Sequence, residues 1–209
     1  REGQSAISLL LRNGADIRAK DCNGDNIWHH FARKRNRSQE TEDWQDLVHR
    51  APDLINTPNN AGETPLLLAV KDPKRSSNIE LLIENGARLH TVDNDGNNAL
   101  HVLMNGRWVV EEHGSVYESR LSYFKRFVES GVPINARNEA GETPIFNFFR
   151  QGPVIYAPCK CEKAKGQSIY DTFTRANCNW QVVNDKGQTL LHIVAGTTPP
   201  LNEHISRSK

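Results

Sequence analysis

The sequence predicts an all-α solenoid of stacked helix-turn-helix units joined by β-hairpin-like loops. Three observations predict it. A turn phrase occurs five times, a helix-stop phrase occurs five times, and each stop lies seven residues before the next turn.

The turn phrases begin at Asp21, Asn59, Asp93, Asn138 and Asn184, each with a glycine three places on: Gly24, Gly62, Gly96, Gly141 and Gly187. An Asp or Asn side chain folds onto its own backbone two residues ahead, and glycine accepts the positive φ of a tight turn. Thr64-Pro65 and Thr143-Pro144 follow as an N-cap and a first-turn proline, so each phrase launches a helix. Gly14, Gly86, Gly131 and Asn177 each follow an apolar helix end and read as left-handed C-caps. Pro52 stands at the equivalent place, cannot be left-handed, and requires a stop of different geometry.

Stop-to-turn intervals run from 14 to 21, 52 to 59, 86 to 93, 131 to 138 and 177 to 184, always seven. Turn glycine to next stop takes 28, 24, 35 and 36 residues, so added length collects between the two helices of a repeat. The insertions are residues 33–42, 107–118 and 151–166.

These phrases resemble the ankyrin repeat, whose pattern is Asp-x-x-Gly-x-Thr-Pro-Leu-His, a second helix ending in Leu-Leu, then Gly-Ala-Asp and an apolar anchor. The resemblance covers residues 5–196 and implies a repeat domain over 1–196: a partial repeat at 1–20 and repeats starting near 21, 59, 93, 138 and 184. Residues 197–209 are expected to form an irregular tail, given Pro199-Pro200. The copies are degenerate: the second and fourth keep Thr-Pro, and the first, third and fifth keep the histidine (His29, His101, His192). The resemblance implies that these histidines hydrogen-bond within the hairpin. Residues 5–13 match only an outer helix, with Ala6, Ile7, Leu10 and Leu11 expected to pack toward the next repeat, and 187–195 match only an inner one. With Arg1 in first place, the chain reads as a segment of something longer.

Composition narrows the function. With 26 Lys and Arg against 25 Asp and Glu, the net charge of +1 provides no global field for a polyanion or a membrane surface. The longest aliphatic run, Leu66 to Val70, is far short of the roughly 20 residues that span a bilayer, so no membrane partner is expected. Four Cys are too sparse for a disulfide scaffold and suggest an intracellular protein, cytoplasmic or nuclear, with reduced thiols. Cys159, Cys161 and Cys178 offer three thiols, but one tight pair is half of a zinc motif, so no metal is expected. No Ser-His-Asp elbow, phosphate-cradling glycine loop or paired-His metal helix is present; no catalytic residue, no cofactor and no enzymatic activity are expected.

The family resemblance implies a protein-protein interaction scaffold that holds a partner protein or peptide on its concave face. Carried onto this chain, the family's surface-facing positions include Asp25, Arg33, Glu63, Lys71, Asn94, Asp95, Asn97, Asn105, Arg137, Glu139, Glu142 and Arg150. Acid-rich tips would face a basic floor edge of Arg33, Lys71 and Arg150. Trp108, in the second of the insertions, is the candidate exposed aromatic anchor, whereas Trp28 and Phe146 read as core. The alternative is RNA or another polyanion on a basic loop edge formed by residues 33–37, 71–75 and 160–165.

Overall fold

A computed structural model describes residues 6–34, 47–72, 76–106, 108–110, 115–152, 155–156 and 163–196. The expected tail at 197–209 lies outside the described residues, as do Cys159 and Cys161.

The architecture is the all-α, ankyrin-like solenoid. The outer helices are α1 (Ala6–Arg12), α4 (Ser76–Glu84), α6 (Ser115–Glu129) and α8 (Lys163–Arg175). The inner helices are α2 (Ile27–Arg33), α3 (Pro65–Lys71), α5 (Ala99–Met104), α7 (Pro144–Arg150) and α9 (Leu190–Gly196). Each inner helix packs on the next, and their apolar faces interlock with the outer row. Trp28, Leu66, Leu67, Phe146 and Phe148 from the inner row meet Ile79, Leu82, Phe124, Phe127 and Phe173 from the outer row, all essentially without solvent. Trp28 and Phe146 are core, as expected.

The stops behave as their residues require. Gly14, Gly86, Gly131 and Asn177 are all left-handed, Asn177 at φ 52°. Pro52 instead opens a short 3-10 turn, Pro52–Asn56, because its ring holds φ negative and the chain must leave the helix by tightening.

The hairpin tips are built by the expected side-chain turn. In all five, the Oδ1 of the first residue (Asp21, Asn59, Asp93, Asn138 or Asn184) accepts two backbone N–H groups of its own turn at 2.8–3.1 Å. Successive tips then stack through the backbone. Asn60, Asn94, Glu139 and Asp185 each donate an N–H to the preceding tip, on Asn23, Ala61, Asp95 and Ala140. Gly62 shows why that position excludes side chains: φ is 76°, and a Cβ there would fall 2.6 Å from the Asn94 backbone nitrogen.

The longer insertions are partly structured. They lengthen α6 and α8, and Val109–Val110 pairs in parallel with Ile155–Tyr156 as strands β1 and β2, tying one insertion to the next. Trp108, expected to be exposed, is buried at 4% exposure, edge-on to Phe148 and under the Arg120 guanidinium. That corrects its reading as a surface anchor: the strand pairing turns the insertion back onto the repeats, and the indole joins their core. Arg120, itself buried, donates to the Leu103 carbonyl at 2.6 Å near the end of α5, and burial pulls its pKa down to about 10. Its charge lies where the helix dipole is negative.

At the amino end Ile7 packs against the core, but Leu9 and Leu10 are more than half exposed, correcting the expectation for Leu10.

Asn78, in α4, fills a polar gap that the repeat pattern does not advertise. Its buried amide donates toward the Phe31, Ala32 and Lys34 carbonyls at 2.7–3.3 Å, satisfying the end of α2. Asn78→Ala is expected to cost about 1–3 kcal/mol, the penalty for leaving buried carbonyls unpaired, read as a lowered urea midpoint with unchanged slope.

Candidate functional site

Two cavities open side by side between the hairpin tips and the inner helices. The first, about 390 Å³, is lined by Glu63, Lys71, Asp93, Asp95, Asn97, His101, Val102, Asn105, Gly106 and Asn147. The second, about 440 Å³, is lined by Asp95, Asn97, Asn105, Asn138, Glu139, Ala140, Glu142, Asn147 and Arg150. They share Asp95, Asn97, Asn105 and Asn147, so together they form one groove over the second to fourth repeats.

Most of the sequence-predicted positions converge here: Glu63, Lys71, Asp95, Asn97, Asn105, Glu139, Glu142 and Arg150. Asp25 and Arg33 lie in the first repeat, outside both cavities. Asn94 serves the tip ladder, its amide donating to the Asn60 carbonyl at 2.9 Å. Arg137 spans to the fifth tip, donating to the Val183 carbonyl and pairing with Asp185 at 2.9 Å. Asp93, His101, Asn138 and Asn147 were not among the expected site residues. A signal for Asn147 exists in hindsight: six places after the turn glycine the second, third and fifth repeats carry Leu68, Val102 and Ile193, and an amide there breaks an apolar register.

An ion pair is built into the repeat itself. The residue after the turn glycine and the residue eight places further on meet across the hairpin as Asp25 with Arg33, Glu63 with Lys71, and Glu142 with Arg150. Asp25 and Glu142 are buried, which corrects their reading as surface positions; the cations are the exposed partners. Burial works to raise the Asp25 carboxyl, but hydrogen bonds from Asn59 and Arg33 outweigh it and hold the pKa below its ordinary value. Glu142 is held low in the same way by Arg150 and Asn184 against its own burial. The third and fifth repeats break the pattern, with Asn97 and Asn105, and Gln188 and Gly196, in the paired positions.

The histidines reach further than the hairpin. His29 Nδ1 accepts from the Asn26 N–H at 3.1 Å, while its Nε2 lies 2.9 Å from the Glu63 carbonyl of the following repeat. His101 repeats the arrangement with Asn98 at 3.2 Å and the Glu142 carbonyl at 3.0 Å. A carbonyl only accepts, so a proton sits on Nε2 in each ring. Burial lowers both imidazole pKa values.

Other chemistry finds less material. Among the described residues, Asp21, Asp25 and His30 are the one group of three metal-ligand side chains within 4.8 Å. Asp25 is taken by Arg33 and Asn59, and Asp21 by turn amides and His30. Cys178 is buried, and burial pushes its thiol up to about 12, which suits an inert packing residue. Of the proposed basic edge, Arg33 and Lys71 are committed to carboxylates. Its other side chains, save those of Lys34 and Asp72, lie outside the described residues. No helix among the described residues is long and apolar enough to cross a membrane.

No family model matches the chain. It is similar to the nuclear factor NF-kappa-B p105 subunit of Gallus gallus, 28% identical over 221 aligned positions covering 91% of this chain and 21% of that protein. It is similar over 47% of its length to the phosphocholine transferase AnkX of Legionella pneumophila, at 34% identity and 10% of that protein. Over 31% of its length it is 35% identical to the E3 ubiquitin-protein ligase KEG of Arabidopsis thaliana, 4% of that protein. All three contain ankyrin repeats. The chain thus spans about a fifth or less of these relatives.

Proposed function

We propose that this chain is a degenerate ankyrin-repeat module that acts as an intracellular, non-catalytic scaffold, holding an extended segment of a partner protein in the groove between its second and fourth repeats. The observation that supports this most is the meeting of two cavities on Asp95, Asn97, Asn105 and Asn147, on a scaffold whose tips are locked by backbone hydrogen bonds. A rigid polar trough of this kind offers amides and carboxylates to a peptide backbone and its side chains, with little ordering cost on the protein's side. Similarity to ankyrin-repeat proteins as different as a nuclear factor subunit, a phosphocholine transferase and an E3 ubiquitin-protein ligase fits a part that is reused for interaction.

The test is to pan a displayed library of random peptides against the folded chain and measure the selected peptides against groove variants. Asp95, Asn105 and Glu139 are the positions to change, because they are exposed and hold no charged partner among the described residues. Alanine at Lys71 or Arg150 would also strand a carboxylate. The Asp95→Ala, Asn105→Ala, Glu139→Ala triple variant is expected to weaken selected peptides tenfold or more, about 1.4 kcal/mol, with unchanged circular dichroism. Peptides that bind the variant as well as the parent would overturn the groove.

A further inference from the structure

A chain of side-chain hydrogen bonds runs from tip to tip along the groove, and it is broken at one junction. At three of the four junctions, the asparagine opening a turn donates its amide to the residue after the glycine of the preceding turn. Asn59 donates to Asp25 at 2.7 Å, Asn138 to Asn97 at 2.9 Å, and Asn184 to Glu142 at 3.0 Å. Between the second and third tips the donor position holds Asp93, and the acceptor is Glu63. Both can only accept. They line the same 390 Å³ cavity, with no donor bridging them among the described residues.

The same junction is where the charge pattern fails. The other acidic tips carry their own cation eight residues on, whereas the third repeat has Asn105 in that place. Asp93 takes two turn N–H groups and the Asn97 amide at 3.1 Å but meets no cation among the described residues. Asp95 and Glu139, exposed beside it, have none among the described residues either, their two tips joined by the Glu139 N–H to Asp95 carbonyl bond at 2.8 Å. The first cavity sets Glu63, Asp93 and Asp95 against Lys71 alone; the second sets Asp95, Glu139 and Glu142 against Arg150 alone. Among the described residues the groove sets five carboxylates against two cations, so a cationic donor is missing, and the shortage is concentrated at the third repeat.

We infer that the partner segment supplies that donor: a Lys or Arg side chain that enters the groove over Asn105 and bridges Asp93, Asp95 and Glu63, so that the partner is a basic, extended peptide. This rests on the groove being the binding face. A guanidinium suits the position because it can donate to two carboxylates at once and stays charged at every physiological pH. An acidic or phosphorylated segment would be repelled by the Glu63, Asp93 and Asp95 carboxylates there.

The experiment uses the whole 209-residue chain and two fluorescein-labelled probes, an alternating Gly-Arg peptide and its Gly-Glu counterpart. Fluorescence anisotropy is read at low and physiological salt, with amide shifts mapped by NMR. The Gly-Arg probe is expected to bind, the Gly-Glu probe not, with shifts at Asn97, Asn105 and Asn147. Asp93→Asn, which installs the amide used at the other junctions, is expected to weaken the Gly-Arg probe tenfold or more while leaving the melting temperature equal or higher. Asp95→Asn should weaken it severalfold, and Glu84→Gln, the same charge change on outer helix α4, should not. If peptides selected from the random library occupy the groove but Asp93→Asn leaves the Gly-Arg affinity within twofold, the cation position is wrong and the groove survives. If the Gly-Arg shifts fall instead on α4 and α6, this inference is overturned. A groove that takes neither probe nor any selected peptide removes both readings.

Discussion

Trp28→Ala is expected to cost about 3–5 kcal/mol, enough to melt the first repeats of a chain of this size. The indole is fully buried near the start of α2, and its Nε1 donates to the Ala51 carbonyl at 2.8 Å. Removing it empties space in the core of the first repeat and strands a carbonyl just before the 3-10 turn. In a solenoid each repeat is held by its neighbours alone, so the loss should appear first as early unfolding of residues 6–56 in hydrogen exchange. Trp28→Phe separates the two contributions, since it keeps most of the packing and loses the hydrogen bond, for about 1 kcal/mol. A Trp28→Ala midpoint within 1 kcal/mol of the parent would mean that this packing does not support the fold.

Acidification should destabilise the chain well before its carboxylates titrate. Burial lowers the folded-state pKa of His29 and His101 below the ordinary 6.5. Above pH 6.5 both folded and unfolded forms are neutral and the histidines contribute no pH dependence. As pH falls below 6.5 the unfolded chain takes up protons that the folded chain refuses, so stability falls, by up to about 1.4 kcal/mol per pH unit for each ring. The folded chain resists because burial leaves a charged ring without water. Asp25 and Glu142 are shifted in the same direction but from lower ordinary values, 3.8 and 4.5, so their contribution is lost only as pH falls beneath those values. Urea midpoints at pH 7.5 and 5.5 test this. The double variant His29→Leu, His101→Leu, using the residue of the second repeat, should flatten the difference, and an unchanged slope would refute the assignment. The tips they brace border the groove, so peptide affinity is expected to fall over the same range.

Much of this molecule was legible in its sequence because its turns are local chemistry. An Asx oxygen three places before a glycine closes the same turn wherever it occurs, and Gly86 or Asn177 ends a helix whatever packs above it. The constant seven-residue interval followed from that, and with it the phase of every inner helix and the placing of Glu63, Lys71, Asn97 and Asn105 around one groove.

What the tertiary structure alone decided involves residues whose partners lie about 35 to 50 positions away. Trp108 is a core residue only because β1 and β2 pair across two insertions; in sequence it sits in a variable loop and reads as exposed. Asp25 and Glu142 read as tip carboxylates, yet stacking of the following tip and the arginine eight places on bury them. Asp93 and Asn59 are interchangeable within the turn, since each needs only one oxygen. Their difference appears only when the tips are stacked, because Asn59 Nδ2 then donates to the Asp25 carboxylate of the preceding tip, whereas Asp93 Oδ2 can only accept and takes the Asn97 amide of its own turn. Short-range hydrogen bonding writes itself into residue type and spacing, whereas charge balance across a groove depends on which repeats become neighbours.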